Sequence, residues 1–105
     1  MSDIGIIIVT YNSAAEIGGC LDAALARDAE TIVVDNASQD GTVAEVLRRG
    51  VRLIANSENR GFAAAVNQGF NVLNNPYVLL LNPDVVIQTM PVSGGEMIDS
   101  VKFTL

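Results

Sequence analysis

The sequence predicts an α/β fold, an open three-layer sandwich whose central sheet is mainly parallel. Four short apolar runs alternate with segments whose apolar residues recur at helical spacing. The runs are residues 4–9, 31–34, 51–54 and 77–81. This βαβαβαβ order calls for parallel strands joined by right-handed crossovers. Each run ends in a polar cluster, and parallel strands bring such clusters to the sheet edge where open α/β folds bind ligands.

The bulk composition limits the class of protein. The 105 residues are enough for one domain with a single core, and the 50% apolar and 17% charged content argues against disorder. The net charge is -6 with no basic stripe, so nucleic acid is not an expected partner. An acidic protein that binds a phosphorylated ligand needs a divalent cation or a local arginine to offset charge repulsion.

The cysteine and histidine content limits the chemistry of a site, and the targeting signals limit the location of the protein. Cys20 is the single cysteine, which excludes an intramolecular disulfide, and the absence of histidine excludes a histidine base or metal ligand. Met1-Ser2-Asp3 lacks the basic start of a signal peptide. Residues 61–83 carry no charge, but their asparagines make a membrane span unexpected. The sequence therefore predicts a cytoplasmic protein.

The first strand and first helix have clear sequence signals. Residues 4–9 are nearly continuous isoleucine and valine, as expected for a strand covered on both faces. Ser13-Ala14-Ala15-Glu16 has the pattern of a capping box, which predicts the start of a helix. The predicted apolar side of this helix consists of Ile17, Cys20, Leu21, Ala24 and Leu25.

The second unit follows the same plan. The strand at 31–34 leads into residues 35–41, which are dense in turn-forming residues. Thr42-Val43-Ala44-Glu45 predicts another capping box at the start of a short helix that Gly50 ends. The apolar residues of this helix are Val43, Val46 and Leu47.

The third unit completes the regular pattern. A strand at 51–54 is followed by Asn59-Arg60-Gly61 and then by a third helix, which Asn74-Asn75-Pro76 ends before the strand at 77–81. Beyond Asp84 no period is clear, although residues 101–105 alternate as a terminal edge strand would. The apolar side of the third helix is predicted to be Phe62, Ala65, Val66, Gly69, Phe70 and Leu73.

Common nucleotide loops are absent from the expected places. No glycine lies between Val9 and Ala15, so the dinucleotide fingerprint is missing, and no Gly-Lys-Ser/Thr P-loop occurs. Nicotinamide, flavin and P-loop chemistry therefore have little support. The glycine-rich first loop of a methyltransferase is also missing, although Asp35 stands where a ribose-binding acid would.

Each polar residue at the strand ends has a structural and a functional interpretation. Asp35 either accepts from a base N–H or a ribose hydroxyl, or forms a cap or Asx turn. Thr10 and Asn12 either contact a ligand or cap the first helix, and for Asn12 the cap is favoured. Tyr11 either stacks on a base or covers the sheet edge.

The two charged candidates also leave alternatives open. Arg60 stands next to Gly61 at a helix start, which suits an anionic group, but it equally suits pairing with Glu58 or solvent. Asp84 is too costly to bury unpaired and so faces the cleft or solvent. There it either holds a hard divalent ion together with a diphosphate or is a plain turn residue.

Taken together, the clusters resemble the start of the family 2 glycosyltransferases, enzymes of GT-A fold that use nucleotide-diphosphate sugars. The order and spacing fit that family through about residue 88, with an expected strand order of 3-2-1-4. The Asn82-Pro83-Asp84 form looks most like the rhamnosyltransferase-like branch. The matching segments are residues 9–12, residues 33–42, Asn59-Arg60-Gly61-Phe62 with Asn67 and Gly69, and residues 80–85.

The resemblance implies a donor site for a UDP- or dTDP-sugar and a metal, Mg²⁺ or Mn²⁺, on Asp84. Thr10, Tyr11 and Asp35 are expected at the base and ribose. Arg60 is expected at the base or diphosphate, and Asn82 near the ribose. The implied donor-binding residues are Thr10, Tyr11, Asn12, Asp35, Asn36, Arg60, Gly61 and Asn82.

Nothing after Gln88 resembles the family's acceptor half with its carboxylate general base. We therefore expect a donor-binding half at 1–88 and a divergent tail at 89–105.

Two functions follow: metal-assisted, inverting glycosyl transfer, or a non-catalytic nucleotide-binding or oligomerising module. A phosphoryl-transfer domain is weaker, because no second carboxylate adjoins Asp84. The edge strand at 77–81 predicts either coverage by 101–105 or a homo-oligomer.

Overall fold

The computed structural model describes residues 3–83, which form one parallel sheet with helices on both faces. The strand order is β3-β2-β1-β4 and every neighbouring pair is parallel, which confirms the predicted fold class and order. The strands are β1 (Ile4–Thr10), β2 (Glu30–Asp35), β3 (Arg52–Ala55) and β4 (Tyr77–Leu81). The helices are α1 (Ala14–Leu25), α2 (Thr42–Arg48) and α3 (Phe62–Val72).

β1, β2 and β3 each end one residue later than the sequence predicts, whereas β4 ends at Leu81 as predicted. Thr10 pairs in register with Asp35, and Asp35 pairs with Ala55. Thr10 and Asp35 are therefore the last residues of β1 and β2 rather than the first residues of loops. Their side chains are fully buried and are hydrogen-bonded to each other.

The two faces of the sheet have separate cores. Alternate residues of β1 point to opposite faces, so Ile6 and Ile8 meet α1 and α2 while Ile7 lies on the side of α3. On that second face, α3 approaches closely through Gly69. A β-carbon at Gly69 would lie 2.8 Å from Ile7 Cδ1, so only glycine fits at this contact.

The buried sides of the helices are narrower than predicted. Leu25, Leu47, Phe62 and Phe70 are exposed, and the prediction that they belong to the buried sides was wrong. Leu25 and Phe62 are the terminal residues of α1 and α3. Because Gly69 faces the sheet, its neighbour Phe70 lies about 100° around the helix and turns outward.

Both predicted capping boxes were wrong. Ser13 is the N-cap of α1, but its hydroxyl bonds to the backbone of Tyr11 instead of the helix, and α2 has no side-chain cap from Gly41. The predicted stop of α2 is confirmed: Gly50 has φ +69° and its N–H donates to Leu47 O at 3.0 Å.

Arg49 joins the two helices on their shared side of the sheet. Its Nε lies 2.9 Å from Asp22 Oδ1 on α1, and its guanidinium also lies 2.8 Å from Glu45 Oε1 on α2. Within residues 3–83 no helix is long and apolar enough to cross a membrane. The predicted terminal strand at 101–105 lies outside the described residues.

Candidate functional site

The carboxyl ends of β1 and β2 are joined by the Asp35 carboxylate. Thr10 Oγ1 donates to Asp35 Oδ1 at 2.6 Å, and Ser38 donates its N–H to Oδ2 at 2.9 Å and its hydroxyl to Oδ1 at 2.5 Å. The bond from the Ser38 N–H spans three residues, which is the spacing of a side-chain cap rather than the two-residue spacing of an Asx turn. Among residues 3–83, Oδ2 accepts from this one donor, which leaves it one acceptor position.

Asn12 connects the loop after β1 to the loop after β2. Its N–H donates to Ser38 Oγ at 2.7 Å, and its side-chain Oδ1 accepts from Gln39 N at 2.8 Å. The favoured interpretation of Asn12 as a cap of α1 was therefore wrong. Asn12 takes φ +50°, a left-handed conformation that asparagine tolerates better than most residues. Tyr11 beside it is 55% exposed, so its ring is available at this edge.

Asn36 joins the end of β2 to the loop at 56–61. Its side-chain Nδ2 donates to Gly61 O at 3.1 Å, and its Oδ1 accepts from Arg60 N at 3.2 Å. Asn56 Nδ2 also donates to Asn36 Oδ1, at 3.0 Å. Asn36 is 3% exposed, so its side chain is occupied by protein groups rather than open to a ligand.

Arg60 and Gly61 lie at the start of α3, as the sequence predicts. Arg60 is exposed, and no carboxylate in residues 3–83 forms a salt bridge with it, so the alternative pairing with Glu58 does not form. Gly61 has φ +85°, which favours glycine, and α3 has neither a side-chain cap bond nor an acid in its first turn. The partial positive charge of the helix N-terminus is therefore added to that of Arg60.

The fourth cluster is described only in part. Asn82 follows β4 and is half-buried, and its carbonyl oxygen lies 3.7 Å from Cys20 Sγ. Asp84, the predicted metal ligand, lies outside the described residues. Within residues 3–83 no three histidine, cysteine or acidic side chains are grouped as they are in an all-protein metal site.

Asp40 holds the N-termini of two helices, a role that the sequence analysis missed. Its Oδ2 accepts from Ala14 N of α1 at 3.1 Å, and its Oδ1 accepts from Thr42 N of α2 at 3.0 Å and from the Thr42 hydroxyl. The bonds from Thr42 hold the pKa of the Asp40 carboxyl below its ordinary value. The available signal was an acid two residues before Thr42, but nothing in the sequence pairs it with α1.

The amide side chains behind Arg60 were also missed. Asn56 and Gln68 exchange two hydrogen bonds of 2.8 Å each, which ties the third loop to α3. The loops after β1, β2 and β3 thus converge at one sheet edge, with an exposed aromatic ring, a guanidinium that has no salt bridge within residues 3–83, and buried polar side chains behind them. An edge of this kind can hold a flat base and an anionic group at the same time.

Comparisons with known proteins point to one family. The model of glycosyl transferase family 2 matches residues 5–92. The succinoglycan biosynthesis protein ExoO of Rhizobium meliloti (strain 1021) is 34% identical over 92 residues, which cover 82% of this chain and 26% of that protein.

Solved structures are similar over the same region. S. aureus TarS (residues 1–349) superposes with a TM-score of 0.71 at 25% identity, covering 77% of this chain and 27% of that one. Its complex with UDP gives 0.70 at 25% identity, over the same shares of the two chains. Glucosyl-3-phosphoglycerate synthase of Mycobacterium tuberculosis, bound to uridine diphosphate, gives 0.68 at 19% identity, covering 79% of this chain and 34% of that one.

The present chain spans about a quarter of the length of ExoO and TarS, 26% and 27%. The family model extends over most of its residues, and the fold superposes on that of solved relatives. The chain belongs to glycosyl transferase family 2.

Proposed function

We propose that this chain binds the nucleotide part of a nucleotide-diphosphate sugar, UDP- or dTDP-linked, for glycosyl transfer to an acceptor. The observation that carries the proposal is the convergence of the loops after β1, β2 and β3 on one sheet edge, linked by the hydrogen bonds of Asn12 and Asn36. Family membership and the UDP complex of S. aureus TarS support it.

The base and ribose lie, in this proposal, between β1 and β2. Tyr11 offers an exposed ring for stacking. Asp35 is 1% exposed, so it supports the base and ribose by holding Thr10 and Ser38 in place at the ends of the strands. Thr10 acts through Asp35, because its hydroxyl donates to that carboxylate. Asn12 shapes the loop, and Asn82 lies at the ribose.

The diphosphate lies at the start of α3. Arg60 and the N-terminus of the helix supply positive charge there, in a protein whose net charge is -6. Gly61 contributes the left-handed turn that brings Arg60 to the helix start. Arg60 is thus the residue that offsets repulsion between an acidic chain and an anionic donor.

The proposal assigns a divalent cation, Mg²⁺ or Mn²⁺, to Asp84. Sites for such ions commonly use one or two carboxylates together with phosphate oxygens, so a set of three protein ligands in residues 3–83 is not required. A structure of the M. tuberculosis synthase contains Mn²⁺ together with UDP. Bound there, the cation would act as a Lewis acid that neutralises charge on the leaving diphosphate.

We extend the proposal to the domain bounds, the branch of the family, the compartment and the stereochemistry of transfer. Residues 1–88 form the donor-binding half and 89–105 a divergent tail, in the rhamnosyltransferase-like branch and in the cytoplasm. The transfer is inverting. We assign its general base to no residue of this chain. This chain's contribution is to orient the donor and to stabilise its diphosphate as charge develops.

Calorimetry tests the proposal directly. UDP should bind one site per chain in the presence of MnCl₂, and Asp84→Ala should weaken binding by about tenfold or more. Asp3→Ala is the matched control, because Asp3 is an exposed acid at the amino end of β1. The donor site is proposed at the carboxyl ends of the strands, at the opposite end of the sheet. Absence of UDP binding by the folded protein with Mn²⁺ present would contradict the proposal.

A second candidate function is a non-catalytic nucleotide-binding or oligomerising module. It is favoured by β4, which is one of the two edge strands of the sheet within residues 3–83 and buries residues on both faces. Such an edge can pair with a second copy. Sedimentation equilibrium should then give a dimer or larger species. A monomer at all concentrations would refute pairing through β4.

A further inference from the structure

We infer that Asn36 serves donor binding as a positioning residue, holding the backbone of Arg60 and Gly61 against the end of β2 without touching the nucleotide. This inference rests on the proposed function, in which Arg60 meets the diphosphate. It replaces the expectation that Asn36 itself contacts the donor.

The backbone of Asn36 is anchored to the sheet. Its backbone N–H donates to Thr10 O at 2.9 Å, which continues the β1–β2 ladder by one bond. Its side chain is buried, at 3% exposure for the residue. The side chain therefore projects from a fixed point of the sheet rather than from a mobile loop.

The Asn36 side chain contacts the third loop at two points. The amide oxygen of Asn36 accepts from Arg60 N at 3.2 Å, while its amide nitrogen donates to Gly61 O at 3.1 Å. One side chain thereby satisfies polar groups of two successive residues. Such a contact fixes both the position and the orientation of the backbone from which the Arg60 side chain extends.

Backbone groups fix the orientation of the Asn36 amide. Arg60 N can only donate and Gly61 O can only accept, so Oδ1 faces Arg60 and Nδ2 faces Gly61. Asn56 Nδ2 donates to the same Oδ1 at 3.0 Å. Asn56 is held in turn by Gln68 of α3 and by its own N–H, which donates to Asp35 O at 2.9 Å. The amide cluster therefore links the end of β2, the third loop and α3.

A ligand-free measurement tests the positioning itself. Hydrogen exchange of the Arg60 amide should be about tenfold faster in Asn36→Ala than in the parent chain. Exchange in Asn36→Asp should lie between these two rates, because aspartate keeps an acceptor for Arg60 N but loses the donor to Gly61 O. Gln68→Ala is the matched control: it removes an amide pair of the same cluster without removing the contact to Arg60.

A binding measurement tests the functional part. In a cycle of Asn36→Ala and Arg60→Gln, the Asn36 change should weaken Mn²⁺-dependent UDP binding by about tenfold in the parent and by less than about twofold when Arg60 is already replaced. Gln68→Ala should stay within about twofold of the parent.

The outcomes separate this inference from the proposed function. An equal loss in both backgrounds, or an Arg60 amide that exchanges equally fast in the parent and in Asn36→Ala, overturns the inference. A parent chain that does not bind UDP overturns the proposed function, and the exchange rates still decide whether Asn36 holds Arg60. If Asn36→Ala does not fold, the exchange rates of Asn36→Asp and Gln68→Ala decide: a parent rate in Asn36→Asp, or equally fast exchange in both variants, overturns the inference.

Discussion

At the residue scale, two threonines of neighbouring strands place their hydroxyls in opposite surroundings. Thr10 Oγ1 donates to the Asp35 carboxylate at 2.6 Å. Thr31 Oγ1 is buried and has no hydrogen-bond partner in the part of the chain that the structure describes. One hydroxyl satisfies a buried carboxylate, whereas the other loses its bonds to water without compensation.

The same replacement should therefore have opposite effects at these two positions. Thr10→Val should lower the free energy of unfolding by about 1.5–3 kcal/mol, because the lost bond is to a charged group. Thr31→Val should leave it unchanged or raise it by up to about 1 kcal/mol. Urea denaturation of both variants at pH 7 measures the difference, and equal destabilisation would contradict this account.

Two glycines provide a second residue-scale prediction. Gly69→Ala should destabilise the protein by about 1–3 kcal/mol, because its β-carbon would lie 2.8 Å from Ile7 Cδ1. Gly19→Ala, on the exposed side of α1 with nothing within 4 Å of the new carbon, should stabilise it by about 0.5–1 kcal/mol. Thermal unfolding of the two variants compares them, and a Gly69→Ala protein as stable as the parent would contradict the packing described for α3.

At the scale of elements, Asp40 makes the starts of α1 and α2 depend on one carboxylate. Its two oxygens accept from Ala14 N and Thr42 N, the first residues of the two helices. Neither Ser13 nor Gly41 caps its own helix with a side chain. The loop after β2 therefore carries the cap for a helix that precedes it in the chain.

The contribution of Asp40 should depend on pH. Because its folded-state pKa lies below the ordinary 3.8, the stabilisation is fully present above that value and is lost as pH falls through the folded-state pKa. Asp40→Asn should thus be less stable than the parent at pH 7, with a difference that shrinks toward pH 2. Urea denaturation across this range measures it, with Glu16→Gln in the first turn of α1 as the control. A difference that does not depend on pH would refute a charged cap.

At the scale of the whole molecule, the central strand β1 is much more deeply buried than the edge strand β3. β1 pairs on both sides, and its residues Ile6, Ile7 and Ile8 are at most 1% exposed. β3 lies at the edge, with a burial pattern from half-buried to exposed. Opening of β3 therefore disrupts less of the core than opening of β1.

Native-state hydrogen exchange should reproduce this gradient. Amides of β1 should exchange only with global unfolding, whereas those of Arg52–Ala55 should exchange at least about tenfold faster through local opening. Mass spectrometry of peptides from the two strands measures both rates. Equal protection of β1 and β3 would contradict a sheet that opens from this edge.

The sequence predicts the layout of this molecule better than its side-chain contacts. Apolar runs and helical spacing define the layers, because burial periodicity is a local signal. The partners of Asp40 and Asn12 were not predictable, because they belong to loops about 26 residues apart that only the folded sheet brings together. Phe70 was misassigned because spacing alone does not say how closely Gly69 lets α3 approach.

The bonds from Asn12 and Asn36 to neighbouring loops have a consequence for the thermodynamics of binding. These loops are held to one another by side-chain-to-backbone hydrogen bonds of 2.7–3.2 Å that involve no ligand. Their conformational entropy is therefore lost when the chain folds, not when a nucleotide arrives. Calorimetric heat-capacity changes on binding should reflect only the surface that the nucleotide covers, without a contribution from loop ordering.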